Sequence, residues 1–323
     1  MKHFFPEPAD GYEHELLERT ERWDSSSGLD GLKPALLREL TALEGCDFAT
    51  ALLHRRIVES ERHGPFLRRL SGTRKHLRVT GIRVAIVPGA FHRENPRTGA
   101  DGRVVREVAE QLDLPVTVVP VSSTGKLAEN ARLITEWLTA QRDGALILVS
   151  ISKGGSDIKT ALNRPDAARA FEHVSGWVNI CGILDGTPMA DWLLSPSMLA
   201  RANRLVYQIR GRSLGFLEDL RRHPRSPLNI PLALPPHLRA VHVLGFPLRR
   251  HLRNGLARRC HARLESFGPN DGSILLADTL GWPGQLCPVW GADHFLRPRL
   301  DERPLLAELI STFAASAGAS LAR

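Results

Sequence analysis

The sequence predicts an α/β protein built on a mostly parallel, doubly wound sheet, with a helical extension before it and a helical insertion within it. Three observations carry this. From Val79 onward, compact runs rich in β-branched residues alternate with helical patterns, the arrangement that generates βαβ units with right-handed crossovers. Residues 1–78 show only the three- and four-residue apolar spacing of amphipathic helices. Between Asp185 and Arg239, prolines 188, 196, 224, 227, 231, 235 and 236 break short apolar pieces, and no strand pattern is present. At about 150 residues per domain, 323 residues fit two domains or one core with an appendage. The expected division is a helical extension over 1–78 and an α/β domain over 79–323, with a lid or cap at about 186–239.

The elements follow in order. Leu32, Leu36, Leu37, Leu40 and Leu43 form one helical stripe, Ala49, Leu52, Leu53 and Ile57 a second, and Phe66, Leu67 and Leu70 a short third. Ile82–Val87, closed by Pro88-Gly89, reads as a buried strand and turn. Val104–Leu112 is a helix, Val116–Val121 a strand, Leu127–Ala140 a helix and Ala145–Ile151 a strand. Lys153–Leu162 (helix), Gly176–Cys181, Ala240–Phe246 and Leu286–Trp290 (strands) continue the alternation, and a helix over 306–318 closes it.

Composition narrows the function. Hydrophobic residues make up 42% and charged residues 24%, which excludes wholesale disorder and fibrous repeats. No apolar run reaches the 18 or so residues of a membrane span. The start lacks the apolar core of a Sec signal, so a cytoplasmic location with reduced thiols is expected. The net charge of +8 is carried almost wholly by arginine, since six of the 43 basic residues are lysine. No block of five or six consecutive basic residues marks a nucleic-acid surface, so solvated faces explain the charge. Cysteines 46, 181, 260 and 287 lack CxxC spacing, and neither a metal site nor a disulfide framework is expected.

The segment Leu146-Ile-Leu-Val-Ser-Ile-Ser152-Lys-Gly-Gly-Ser156 carries the chemistry. An apolar strand runs straight into Ser-Lys-Gly-Gly and then a helix, which pushes the Ser152 hydroxyl out at the carboxyl end of the sheet. Such a turn needs small residues two before and two after the serine, here Ser150 and Gly154. A phosphate-binding turn is the competing reading, but neither G-x-G-x-x-G nor G-x-x-x-x-G-K-[ST] is present. A hydroxyl attacks carbonyls only with a base and a group orienting that base. His294, in Val289-Trp-Gly-Ala-Asp-His-Phe just after the last strand, is the candidate base. Asp271, in the turn Gly268-Pro-Asn-Asp-Gly-Ser, is the candidate acid, with Asp278 and Asp185 in reserve. Asp293 is adjacent to His294, but consecutive side chains diverge. Two backbone N–H groups should stabilise the oxyanion: that of Lys153 at the helix N-terminus, and that of Ala90 after the first strand, with Phe91 as its alternative.

Together these segments resemble the α/β-hydrolase superfamily and are similar to bacterial triacylglycerol lipases and related esterases. Val84-Ala-Ile-Val-Pro-Gly-Ala resembles the strand and oxyanion turn, Leu146–Gly155 the nucleophile elbow, and Val178-Asn-Ile-Cys-Gly-Ile-Leu-Asp-Gly-Thr-Pro the strand that opens into a lid. Asn270-Asp-Gly is like the segment bearing the acid, Ala292-Asp-His294 like that bearing the base, and the order Ser, Asp, His is the superfamily's. The likeness covers about residues 80–318. It implies the α/β-hydrolase fold and ester hydrolysis through an acyl-enzyme, with no cofactor. Ser150 in place of the first elbow glycine, and Pro88 in place of a histidine before Gly89, depart from the pattern. They bear on the substrate rather than the reaction class.

The expected function is therefore a serine hydrolase of a carboxylic ester or thioester, including lipid-like acyl groups. An acyltransferase with the same triad and a non-catalytic, partner-binding scaffold are the alternatives. No nucleic-acid partner is expected, and a homo-oligomer through the N-terminal helices is compatible with the pattern.

Overall fold

Residues 4, 7–23, 28–70, 81–141, 144–209, 213–297 and 301–321 are described by the computed structural model. Helices α1 (Gly11–Arg22), α2 (Pro34–Glu44), α3 (Cys46–Glu59) and α4 (Gly64–Leu70) come first, followed by β1 (Ile82–Val87). The last three of these helices correspond to the three leucine-rich stripes. The expected boundary at 78/79 lies outside the described residues. After β1 come α5 (Arg103–Gln111), β2 (Val116–Val118), α6 (Leu127–Ala140), β3 (Ala145–Ile151), α7 (Lys153–Leu162), a single turn α8 (Ala167–Ala170) and β4 (Val174–Ile180). The Pro-broken stretch holds the short helices α9 (Pro188–Leu194), α10 (Met198–Ile209) and α11 (Phe216–Asp219) and, among the described residues, no strand. Strand β5 (Arg239–Phe246), α12 (Gly255–Leu264), β6 (Gln285–Trp290) and α13 (Arg303–Leu321) complete the chain. No described helix is long and apolar enough to cross a membrane.

The sheet is six-stranded and mostly parallel, in the order β2-β1-β3-β4-β5-β6. Strand β1 pairs in parallel with β2 and β3, and β3 with β4. The near-continuous apolar runs of β1 and β3 are those of strands covered on both faces.

Two bounds differ from the sequence reading for physical reasons. The ladder of β2 ends at Val118, short of the expected Val121, because the Val121 N–H, next to face β1 after Val119 N–H donates to Ile86 O at 2.9 Å, turns back to Val119 O at 2.8 Å. Strand β4 ends at Ile180 because Cys181 turns to a φ of 46°.

The chain divides into two compact units, Met1–Thr73 with Val243–Glu302, and Arg74–His242 with Arg303–Arg323. In the second, α13 packs on β4 and is tied to α5 by Arg303 and Glu107 at 2.8 Å. In the first, α3 packs on β6, and the His63 imidazole after α3 accepts the Leu286 N–H at 3.2 Å. The helices before residue 71 thus share a unit with β6 and with the segments that bear Asp271 and His294.

Candidate active site

In the second unit, β3 delivers Ser152 directly to the N-terminus of α7. Ser152 has φ 51° and ψ −117°, a left-handed backbone that a non-glycine residue holds only when its surroundings enforce it. Three hydrogen bonds do so: Ser152 N–H donates to Ile180 O at 2.9 Å, and Ser152 O accepts from Gly155 N–H at 3.0 Å and Ile183 N–H at 3.3 Å. Close backbone approach explains Gly154, where a Cβ would stand 2.3 Å from Val87 O. The elbow is wedged against the end of β1, and only glycine fits.

Ser150, the departure from the glycine pattern, is fully buried and has work for its hydroxyl. It donates to Asn179 Oδ1 at 2.9 Å and accepts from the Trp177 indole N–H at 2.8 Å. Asn179 Nδ2 in turn donates to His242 Nδ1 at 3.1 Å. A polar chain thus crosses β3, β4 and β5 beneath the elbow, and a glycine at 150 would break it.

The turn after β1 lies against the elbow: a methyl on Gly89 would stand 3.5 Å from Ser152 Cβ. Phe91 N–H is engaged by Ser123 O at 3.3 Å, whereas no acceptor among the described residues takes the Ala90 N–H. Of the two expected donors on this turn, Ala90 is the one left available. Pro88 brings no imidazole to this turn, but His92 Nδ1–H donates to Gly89 O at 2.9 Å and braces it from three residues further on.

Sequence reasoning assigned Lys153 only its backbone N–H. Its side chain is also buried: the ammonium lies 2.9 Å from both oxygens of Asp157, each side chain 1% exposed. Asn130 Nδ2 donates to the same carboxylate at 2.9 Å. Burial pushes the Asp157 carboxyl up to about 6, against the pull of Lys153 and Asn130. A lysine and an aspartate four residues apart at a helix start were the available signal.

The Pro-broken insertion is stapled at both ends. Buried Lys159 donates to Leu184 O at 2.7 Å, Asp185 Oδ1 at 2.8 Å and Leu228 O at 2.9 Å, which also commits the reserve acid Asp185 to a structural pairing. Asp219 accepts the Leu127 N–H at the start of α6 at 2.9 Å. Between these anchors, Tyr207 stacks on Phe91 at 5.4 Å and Phe216 meets the same ring edge-on at 5.6 Å. The insertion therefore rests on the residue that follows Ala90.

In the first unit, His294 and Asp271 come together. His294 Nδ1 donates to Asp271 Oδ2 at 2.9 Å, and both residues are buried. The other oxygen of Asp271 accepts from Ser273 N–H and Ile274 N–H, each at 2.8 Å. His294 N–H also donates to Asp271 O at 3.0 Å, so backbone and side chain both fix the pair. Asp293 diverges as expected and caps its own turn, accepting from Phe295 N–H at 2.9 Å and Arg297 N–H at 3.2 Å. Burial pulls the His294 imidazole down, but the Asp271 charge and hydrogen bond, with Asp293 adding, outweigh it and hold the ring above its ordinary range. In the neutral ring, a proton held on Nδ1 leaves Nε2 as the basic atom.

No family model and no curated protein sequence matches the chain. Among solved structures, a carboxyl esterase recovered from a metagenome is similar at 22% identity and a TM-score of 0.58, over 76% of this chain and 80% of its own. The mature lipase of Bacillus licheniformis aligns at 19% identity and a TM-score of 0.45, over 69% and 91%. Lipase 1 from Pelosinus fermentans aligns at 12% and 0.46, over 73% and 98%. The sheet order, the strand-to-helix turn at Ser152 and the first of these likenesses lead to one structural conclusion: this chain has the α/β-hydrolase fold.

Proposed function

We propose that the protein is a serine hydrolase that cleaves a carboxylic ester or thioester through an acyl-enzyme. Ser152 Oγ attacks the acyl carbon while His294 Nε2 takes its proton. The oxyanion is held by the Lys153 and Ala90 N–H groups, and His294 returns the proton to the leaving alcohol or thiol. Water then attacks the acyl-enzyme with His294 again as base, which releases the acid and restores Ser152. Asp271 keeps the ring in the tautomer this requires.

The observation that carries the reading is the strained backbone of Ser152 at a strand-to-helix turn, because that conformation is held against its cost by surroundings that present the hydroxyl. The buried His294–Asp271 pair supports it, as does the esterase activity named for the metagenomic relative. The insertion over 186–239 serves as the lid, and its apolar residues suit a greasy acyl group: Leu199 is 56% and Met198 88% exposed.

The test is a panel of p-nitrophenyl esters of increasing acyl length, with an acyl-thioester alongside, on wild type and Ser152→Ala. Turnover by wild type that is lost in the variant supports the reading, and equal turnover by both overturns it. Added alcohol acceptors that divert the acyl group into a new ester would assign acyl transfer instead.

A further inference from the structure

The helices before residue 71 include a carboxylate that a merely appended helix has no reason to bury. Glu13, in the first turn of α1, is fully buried, and a buried charge persists only when paired and hydrogen-bonded. Its Oε2 accepts the Ala9 N–H at 3.0 Å, and its Oε1 accepts the His251 Nε2–H at 2.8 Å. The other ring nitrogen, His251 Nδ1, accepts the Leu248 N–H at 3.0 Å. Both nitrogens of His251 are thus committed, and the ring's orientation is set by a residue 238 positions away.

That ring lies against the start of the turn carrying His294. It meets the Trp290 indole edge-on at 5.8 Å, and a Cβ on Gly291 would stand 3.5 Å from its Nδ1. Gly291, at φ 79°, begins the turn and anchors it by donating its N–H to Phe246 O at 2.9 Å. From α3, the His54 ring packs on the same Trp290 at 4.9 Å and on Phe246 at 5.5 Å. Around this contact, Arg250 pairs with the α1 cap Asp10, and the Tyr12 hydroxyl and the Arg249 N–H both reach Asp47.

We propose that Glu13 and His251 are positioning residues for His294, so that α1 contributes one side chain, Glu13, to the placement of the base. This rests on the reading of His294 as the base. Glu13 fixes the His251 ring, the ring supports the Gly291 hinge, and the hinge aims the imidazole three residues on. Displacement of a catalytic group by about 1 Å can lower turnover about a hundredfold.

The experiment compares Glu13→Ala, Glu13→Gln and, as control, Leu16→Ala, which removes a buried side chain from the same helix. Two quantities are read: kcat and KM on a p-nitrophenyl ester, and the downfield proton resonance of the His294 Nδ1–H bonded to Asp271. We expect Glu13→Ala to lower kcat at least about tenfold with KM nearly unchanged, and to shift or broaden the resonance. Glu13→Gln, whose amide oxygen still accepts from His251 Nε2–H while its NH2 gives up the Ala9 N–H, should recover most of both. Leu16→Ala should lower thermal stability and leave both in place. Should Glu13→Ala fail to fold, the apolar pair Glu13→Leu with His251→Phe replaces it with the same expected loss. An unmoved His294 resonance in the Glu13 variants, or equal kcat losses in Glu13→Ala and Leu16→Ala, overturns the proposal. Failure of the hydrolase reading is seen separately, as activity that survives Ser152→Ala, and the resonance then still reports on the positioning.

Discussion

Asp271 gives one carboxylate oxygen to His294 Nδ1 at 2.9 Å and the other to two backbone N–H groups, so the acid is fixed before it fixes the base. A carboxylate only accepts, so this bond requires the proton on Nδ1 and selects one tautomer of the imidazole. Asp271→Asn should keep the fold while presenting an amide that no longer selects that tautomer. We expect kcat to fall by about 10⁴ with a melting temperature close to wild type. Steady-state kinetics beside thermal denaturation checks both halves.

The pH dependence has a definite sign. Burial opposes protonation of His294, but Asp271 and Asp293 prevail and raise its pKa. The base works neutral, so kcat/KM should rise with pH through a limb above about 6.5, the ordinary imidazole value. The same shift makes His294 a source of stability that is fully present below its unfolded pKa and lost as pH rises through the folded one. Asp293→Asn removes one of the raising charges and should move the limb to lower pH. A pH–rate profile of the two proteins measures it.

The Lys153–Asp157 pair should be costly to break and cheap to replace. Asp157→Ala strands a buried ammonium beside the elbow, and the expected loss is about 3–5 kcal/mol of stability. The double change Lys153→Met with Asp157→Leu leaves no charge buried and should recover most of it. Urea denaturation of both variants decides the matter.

Ser150→Gly provides a test of the polar chain under the elbow. The change brings the sequence closer to the usual elbow pattern, yet it orphans the Trp177 N–H and removes the donor to Asn179. We expect destabilisation by about 1–3 kcal/mol, read from chemical denaturation.

The elbow was legible in the sequence because its demands are local: an apolar strand, a serine and small flanking residues within a few positions. His294 and Asp271 were legible for a related reason, since each sits in a turn that follows a recognisable element. Helix α1 was not singled out, because its buried face is Glu13, Leu16 and Thr20, and two of these three are polar. What makes Glu13 a buried residue is His251, and no spacing rule reaches that far. The short span of β2 was missed for the opposite reason: the β-branched run continues past Val118 while the Val121 N–H turns back to Val119 O. The grouping of the first helices with β6 rests on packing between distant segments, which periodicity does not encode.

Ser152 as the nucleophile is put to the test by treating the protein with a fluorophosphonate and mapping the adduct by mass spectrometry. One adduct is expected on Ser152, absent in Ser152→Ala and formed far more slowly in His294→Ala. Undiminished labelling of Ser152→Ala would contradict it, as would ester turnover by a wild-type protein that takes up no label.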